Sequence, residues 1–143
     1  MGENLQEWTA GTVHVGGTGL TIIKGGTGRP LLVLHEELGY PGWLRWHSTL
    51  AQTRTLYIPI HPGFGQLPRV EWVSNVRDLA CFYSRLLKDM VLSPIDVIGF
   101  SLGGWIAAEM AVNHADQFRR MVLVAPAGIR PGKGEIMDMF VVT

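Results

Sequence analysis

Apolar positions along the chain fall into short runs divided by glycine- and proline-rich punctuation. Residues 12–23, TVHVGGTGLTII, set two β-rich runs around GGTG and predict a hairpin. LLVL at 31–34 is apolar at every position, as a strand covered on both faces must be. TLYIPI at 55–60, IDVIG at 95–99 and MVLV at 121–124 are further short, mainly apolar runs that predict strands. Between these runs the apolar spacing changes to three and four. YPGWLRWHSTLAQ predicts a short helix with Trp43, Trp46, His47 and Leu50 on one side. SNVRDLACFYSRLLKDMV is the clearest helix. Its stripe is Val76, Leu79, Ala80, Tyr83, Leu86, Leu87 and Met90; Ser74 is the expected N-cap and Pro94 stops it. Cys81, inside this segment, reads as a small core residue. GGWIAAEMAV predicts a third helix, running to about His114.

The order is β, β, β, α, β, α, β, α, β. Apolar strands alternating with amphipathic helices predict an α/β fold with a mostly parallel sheet and helices on both faces. Residues 12–29 form the hairpin, 30–125 the alternating core, and 126–143 a loop in which IMDMFVVT starts a helix or another segment. Ligands of such sheets sit at the C-terminal strand ends, which here are HEELG, HPGFG, GFSLG and APAG. The second GGTG, at 25–28, is followed by Pro30 and a strand. A phosphate-cradling loop would instead open a helix, so that reading is set aside.

Composition narrows the function. The 143 residues suffice for one domain with a real core. A hydrophobic content of 47% with 17% charge excludes a disordered chain. Twelve basic residues balance 12 acidic ones, giving net charge +0. Nothing electrostatic then recommends nucleic acid or an anionic membrane as a partner. A single cysteine leaves no internal disulfide and no Cys-based metal site. The N-terminus, MGENLQEWTAG, lacks a signal pattern and fits myristoylation poorly, and no stretch approaches the roughly 20 apolar residues of a membrane span. A cytoplasmic protein is expected.

The chemistry centres on Gly99-Phe100-Ser101-Leu102-Gly103. A serine between two glycines, on a turn from strand to helix, suggests a nucleophile. With this motif the chain resembles the α/β-hydrolase family, whose Gly-x-Ser-x-Gly elbow occupies that context. Two further segments agree. RPLLVLHEELGYPGW is similar to the family's third strand and oxyanion turn, and IPIHPGFGQLP to its Asp-x-Pro-Gly-x-Gly turn. The resemblance covers about residues 12 to 125. It implies that Ser101 is the nucleophile and that the N–H groups of Leu102 and Glu37 hold the oxyanion, each worth about 3–4 kcal/mol. It implies that His35 supports the oxyanion turn, that Leu38, Phe64, Phe100, Leu102 and Trp105 line the substrate pocket, and that no cofactor or metal is needed. The chain departs from the family at Glu36, where glycine is usual, and at His61, where aspartate is usual.

The family orders its triad Ser, acid, His. His114 is the one histidine after Ser101; it follows 13 residues later in the same helix, about 20 Å away. A base must come within about 3 Å. APAG carries no carboxylate, Glu135 and Asp138 read as solvated charges, and Asp96 lies inside a strand and calls for a structural partner. His35 and His61 are upstream alternatives at strand ends, while His14 and His47 lack a site context. The expectation is a hydrolase chain truncated where the family's lid begins, with acid and base absent from it. The strand at 121–124 would then be a bare parallel edge prone to self-association. Two readings stay open: part of a serine hydrolase acting on an ester, thioester, amide or C–C bond, or a non-catalytic binding fragment or half of a split enzyme.

Overall fold

A computed structural model describes residues 7–130 and 132–134. The expected segment IMDMFVVT, with Glu135 and Asp138, lies outside the described residues, as does the myristoylation reading of MGENLQ. The hairpin is β1 (Trp8–Val15) and β2 (Thr18–Gly25), turning at Gly16 and Gly17. Next come β3 (Arg29–Leu34), α1 (Arg45–Ala51), β4 (Arg54–Pro59), α2 (Val76–Asp89), β5 (Ile95–Phe100), α3 (Leu102–Asn113), a 3-10 turn at Ala115–Gln117, and β6 (Phe118–Val124). The sheet order is β1-β2-β4-β3-β5-β6; β1 and β2 are antiparallel to their neighbours and β3 to β6 are mutually parallel. The alternating parallel architecture is as the hydrophobic pattern predicts.

Side-chain alternation along the strands builds two core layers. Leu32 and Leu34 of β3 face α2 and α3, among Leu20, Phe82, Tyr83, Leu87, Ile106 and Met110. Leu31 and Val33 face the other way, with Leu56, Ile58 and Ala51, under Trp43, Trp46 and Leu50 of the α1 region. Covering helices therefore lie on both faces. At the start of the parallel strands Arg54 bonds Asp96 at 2.8 Å, the structural partner expected for that aspartate.

Two local expectations are corrected. The N-cap of α2 is Asn75, whose side chain accepts from the Asp78 N–H at 3.0 Å. Ser74, one residue earlier, instead donates its N–H and hydroxyl to the Asp78 carboxylate at 2.9 and 2.8 Å. Both residues can cap, and the one adjoining the first helical residue does so. Cys81 is exposed, because the neighbouring Phe82 takes the core-facing position and a step of one residue turns a side chain about 100° away.

β6 begins three residues before the apolar run that predicted it. Arg119 and Arg120 are exposed strand positions, and they mask the strand in sequence. Its outer edge pairs with no strand among the described residues, and Val122, Leu123 and Val124 are 53%, 37% and 39% exposed. No helix among the described residues is long and apolar enough to cross a membrane.

Candidate active site

β5 delivers Ser101 to the C-terminal edge of the sheet, and α3 starts at the next residue. Ser101 has φ 45° and ψ −109°, outside the helical and extended basins. Such a conformation costs on the order of 1–3 kcal/mol and persists only where neighbours impose it. Here the Ser101 N–H donates to the Val124 carbonyl at 3.0 Å, and the Ser101 carbonyl accepts from Trp105 and Ala127 at 3.1 and 3.0 Å. The flanking glycines follow from close backbone approach. A Cβ on Gly99 would lie 2.4 Å from the Gly103 carbonyl oxygen, and one on Gly103 would lie 2.1 Å from that of Leu34. The motif spacing is thus a packing condition that brings the ends of β3 and β5 against the first turn of α3.

The chain leaves β3 through a turn closed by Gly39 N–H donating to the Glu36 carbonyl at 3.2 Å. This turn sets Glu37 opposite Ser101. An open cavity of about 590 Å³ is lined by Glu37, Ser101, Leu102, Trp105, Ala125, Pro126, Ala127 and Ile129. Glu37, an exposed residue, lines it beside Ser101 and Leu102. The Ser101 hydroxyl does most to hold this carboxyl below the usual carboxylate range; partial burial opposes the shift.

Of the expected pocket residues, the structure brings Leu102 and Trp105 to this cavity. Phe100, one residue before Ser101, points to the opposite sheet face. There its ring lies 5.2 Å from that of Trp46, and it lines a separate cavity of about 110 Å³ with Tyr40 and His47. Phe64 packs edge-on against His35 and His61, and Leu38 is 78% exposed at the turn. The strand-end segment Ala125–Ala127, together with Ile129, supplies the wall that sequence reasoning did not name. The rule that ligands sit at C-terminal strand ends was its only signal.

His35 and His61 form a closed, neutral network. The His61 backbone N–H donates to His35 Nε2 at 3.0 Å, so that nitrogen carries no proton. His35 Nδ1–H then donates to the Glu36 carbonyl at 2.8 Å. His61 Nε2–H donates to the His35 carbonyl at 2.9 Å, and its Nδ1 accepts from the Tyr83 hydroxyl. Burial first, and His35 beside it second, depress the His61 pKa to about 3. Burial also lowers that of His35. Every ring nitrogen of the pair is engaged, so neither ring is free to take a proton from Ser101. The network instead ties the end of β4 to the turn that follows β3. Tyr83 was legible only as a core residue, since nothing local announces its hydroxyl contact.

His47 is buried with Nδ1 accepting the Leu44 N–H at 2.8 Å, His114 caps the far end of α3, and His14 is exposed on β1. Among the described residues, Glu37 is the only titratable side chain lining the Ser101 cavity. No group of three His, Cys, Asp or Glu among the described residues is placed to hold a metal ion.

The strand-turn-helix at Gly99–Gly103 and the parallel sheet point to one class, and residues 31–141 match the alpha/beta hydrolase family, to which the chain belongs. Among curated relatives, 2-hydroxymuconate semialdehyde hydrolase of Pseudomonas sp. (strain CF600) is 31% identical over 109 residues, 73% of this chain and 38% of that protein. A 2-hydroxy-6-oxo-2,4-heptadienoate hydrolase of Pseudomonas putida is 25% identical over 122 residues, 82% of this chain and 44% of that one. The crystal structure of a putative lipase from Acinetobacter baumannii AYE superposes with a TM-score of 0.81 at 27% identity, covering 91% of this chain and 45% of that chain. The chain spans less than half the length of these relatives.

Proposed function

We propose that the chain is the nucleophile-bearing part of a cofactor-free serine hydrolase acting on a small ester, thioester, amide or C–C bond. A base removes the Ser101 hydroxyl proton as Oγ attacks the substrate carbonyl carbon. The oxyanion is held by the Leu102 and Glu37 N–H groups, the leaving group departs with the proton, and water then releases the acyl group from Ser101. The observation that carries this reading is the strained Ser101 elbow, opening on a cavity that it shares with Leu102 and Glu37. His35 takes the structural role of holding the oxyanion turn. The base and the acid are proposed to be residues other than those described.

The same reading makes turnover by the 143-residue chain alone trace or nil. It also predicts self-association through the bare β6 edge, and a cytoplasmic location in which the exposed thiol of Cys81 stays reduced. The test is hydrolysis of p-nitrophenyl esters by the full-length protein and its Ser101→Ala variant. Turnover lost in the variant supports the reading; equal turnover in both removes it.

A second reading, a non-catalytic binding fragment or half of a split enzyme, is favoured by one observation: no histidine lines the Ser101 cavity among the described residues. Restored esterase activity on mixing with a chain that supplies acid and histidine supports the split enzyme. Ligand binding with no turnover in any combination supports the binding fragment.

A further inference from the structure

A second groove lies at the end of α3 away from Ser101, where α2 meets the 3-10 turn. It is open, holds about 550 Å³, and is lined on one side by Cys81, Ser84, Arg85 and Lys88 and on the other by His114, Asp116 and Gln117. The four α2 residues recur at steps of three and four, so they share one face of the helix. Cys81 is the exposed thiol of that face. Ser84 is only 6% exposed, and its hydroxyl has no hydrogen-bond partner among the described residues. The buried Gln117 Oε1 has none either, while its Nε2–H donates to the Ser84 carbonyl at 3.0 Å. Buried polar atoms are rarely left unpaired. These two offer one donor and one acceptor, the complement of the C=O and N–H of a peptide group. Arg85 is paired with Asp89 at 2.6 Å and Asp116 is the one carboxylate of the lining, but no carboxylate among the described residues pairs with Lys88. Lys88 follows Cys81 by seven positions, about 10 Å along the helix. That is about the reach of three extended peptide residues.

We propose that Cys81 is a thiol–disulfide exchange site for an acidic, peptide-sized disulfide held in this groove. The Cys81 sulfur, its proton given to solvent, attacks one sulfur of the disulfide. The S–S bond breaks, a mixed disulfide forms on Cys81, and the other half leaves as a thiolate that takes a proton from solvent. A free thiol reverses the exchange. In the adduct the Ser84 hydroxyl donates to a carbonyl of the bound arm, Gln117 Oε1 accepts one of its N–H groups, and the Lys88 ammonium meets its terminal carboxylate. The reduced thiol expected of a cytoplasmic protein is the form that reacts. The proposal does not depend on the role of Ser101.

The test treats the full-length protein with glutathione disulfide, which is anionic, and with cystamine, which is dicationic, at about 20 mM salt, where surface charges act at long range. The adduct is located by peptide mass spectrometry, with Cys81→Ser as the control. Each rate is divided by that of the same reagent with a free neutral thiol, which removes the reagent's own reactivity. Glutathione disulfide is then favoured over cystamine by about three- to tenfold in the wild type and by less than about twofold in Lys88→Gln. A ratio that is the same in both proteins overturns the proposal, as does an adduct that forms elsewhere and persists in Cys81→Ser. The peptide contacts are read from the equilibrium constant of the glutathione adduct. It falls by about three- to tenfold in Ser84→Ala, while that of the 2-hydroxyethyl adduct, which has no peptide group, does not change. Ser84→Ala removes an unpartnered hydroxyl, so folding is retained. A glutathione equilibrium unmoved by Ser84→Ala makes Cys81 an ordinary surface thiol and overturns the proposal.

Discussion

Lowering the pH from about 7.5 to about 5 should weaken the fold through His61, and the size of the effect follows from its surroundings. His61 is fully buried, accepts the Tyr83 hydroxyl on Nδ1 and spends its single proton on the His35 carbonyl. A second proton would charge the ring where burial, first, and His35 beside it, second, oppose it, and the pKa is depressed from 6.5 to about 3. Between these values the unfolded chain binds a proton that the native state refuses. The stabilisation is therefore complete above the unfolded pKa and is lost as the pH falls toward the folded one. At about pH 5 the loss from this one residue is about 2 kcal/mol. Urea unfolding followed by tryptophan fluorescence measures it, in the wild type and in His61→Gln, which cannot titrate. The variant is less stable at both pH values, but its deficit shrinks by about 2 kcal/mol on going to the lower pH. His35 and His47, also lowered by burial, remain in both proteins and largely cancel in the difference. A deficit that is independent of pH, or that grows in acid, would refute the closed neutral network.

Gly103→Ala should destabilise the protein by about 3 kcal/mol or more, because its Cβ would lie 2.1 Å from a backbone oxygen that cannot move without β3. Gly11→Ala, with open space at that position, should stay within about 0.5 kcal/mol in the same thermal unfolding experiment. Val122→Lys combined with Leu123→Lys on the outer strand should abolish self-association with little change in folding, since both side chains are exposed. Sedimentation velocity over a wide concentration range checks this, and a wild type that stays monomeric throughout contradicts it.

The parts of the fold legible in sequence are those set by local pattern. The run Leu31–Leu34 is buried on both faces, which a solvated strand would not be. Gly99 and Gly103 announced the elbow, since their spacing answers to contacts within a few residues and to one neighbouring strand. What stayed hidden depends on distant partners or on rotation about an element. His61 meets His35 and Tyr83 across 26 and 22 residues of sequence, and Tyr83 looked like any other member of an apolar stripe. Phe100 looked like a pocket residue beside Ser101, but strand alternation turns it to the far face. Cys81 and Phe82 differ by one helical step, and bulk decided which of them entered the core. The backbone role proposed for Glu37 rests on its position after His35; that this residue shares a cavity with Ser101 was not legible, since a surface carboxylate carries no pattern of its own.

The central claim is that Ser101 is a reactive nucleophile, and covalent labelling tests it most directly. The full-length protein is treated with a fluorophosphonate and digested, and the adduct is located by mass spectrometry. One adduct per chain on Ser101, absent from Ser101→Ala, is the predicted result. A protein that stays unlabelled, or whose adduct sits on another residue and persists in Ser101→Ala, contradicts the account.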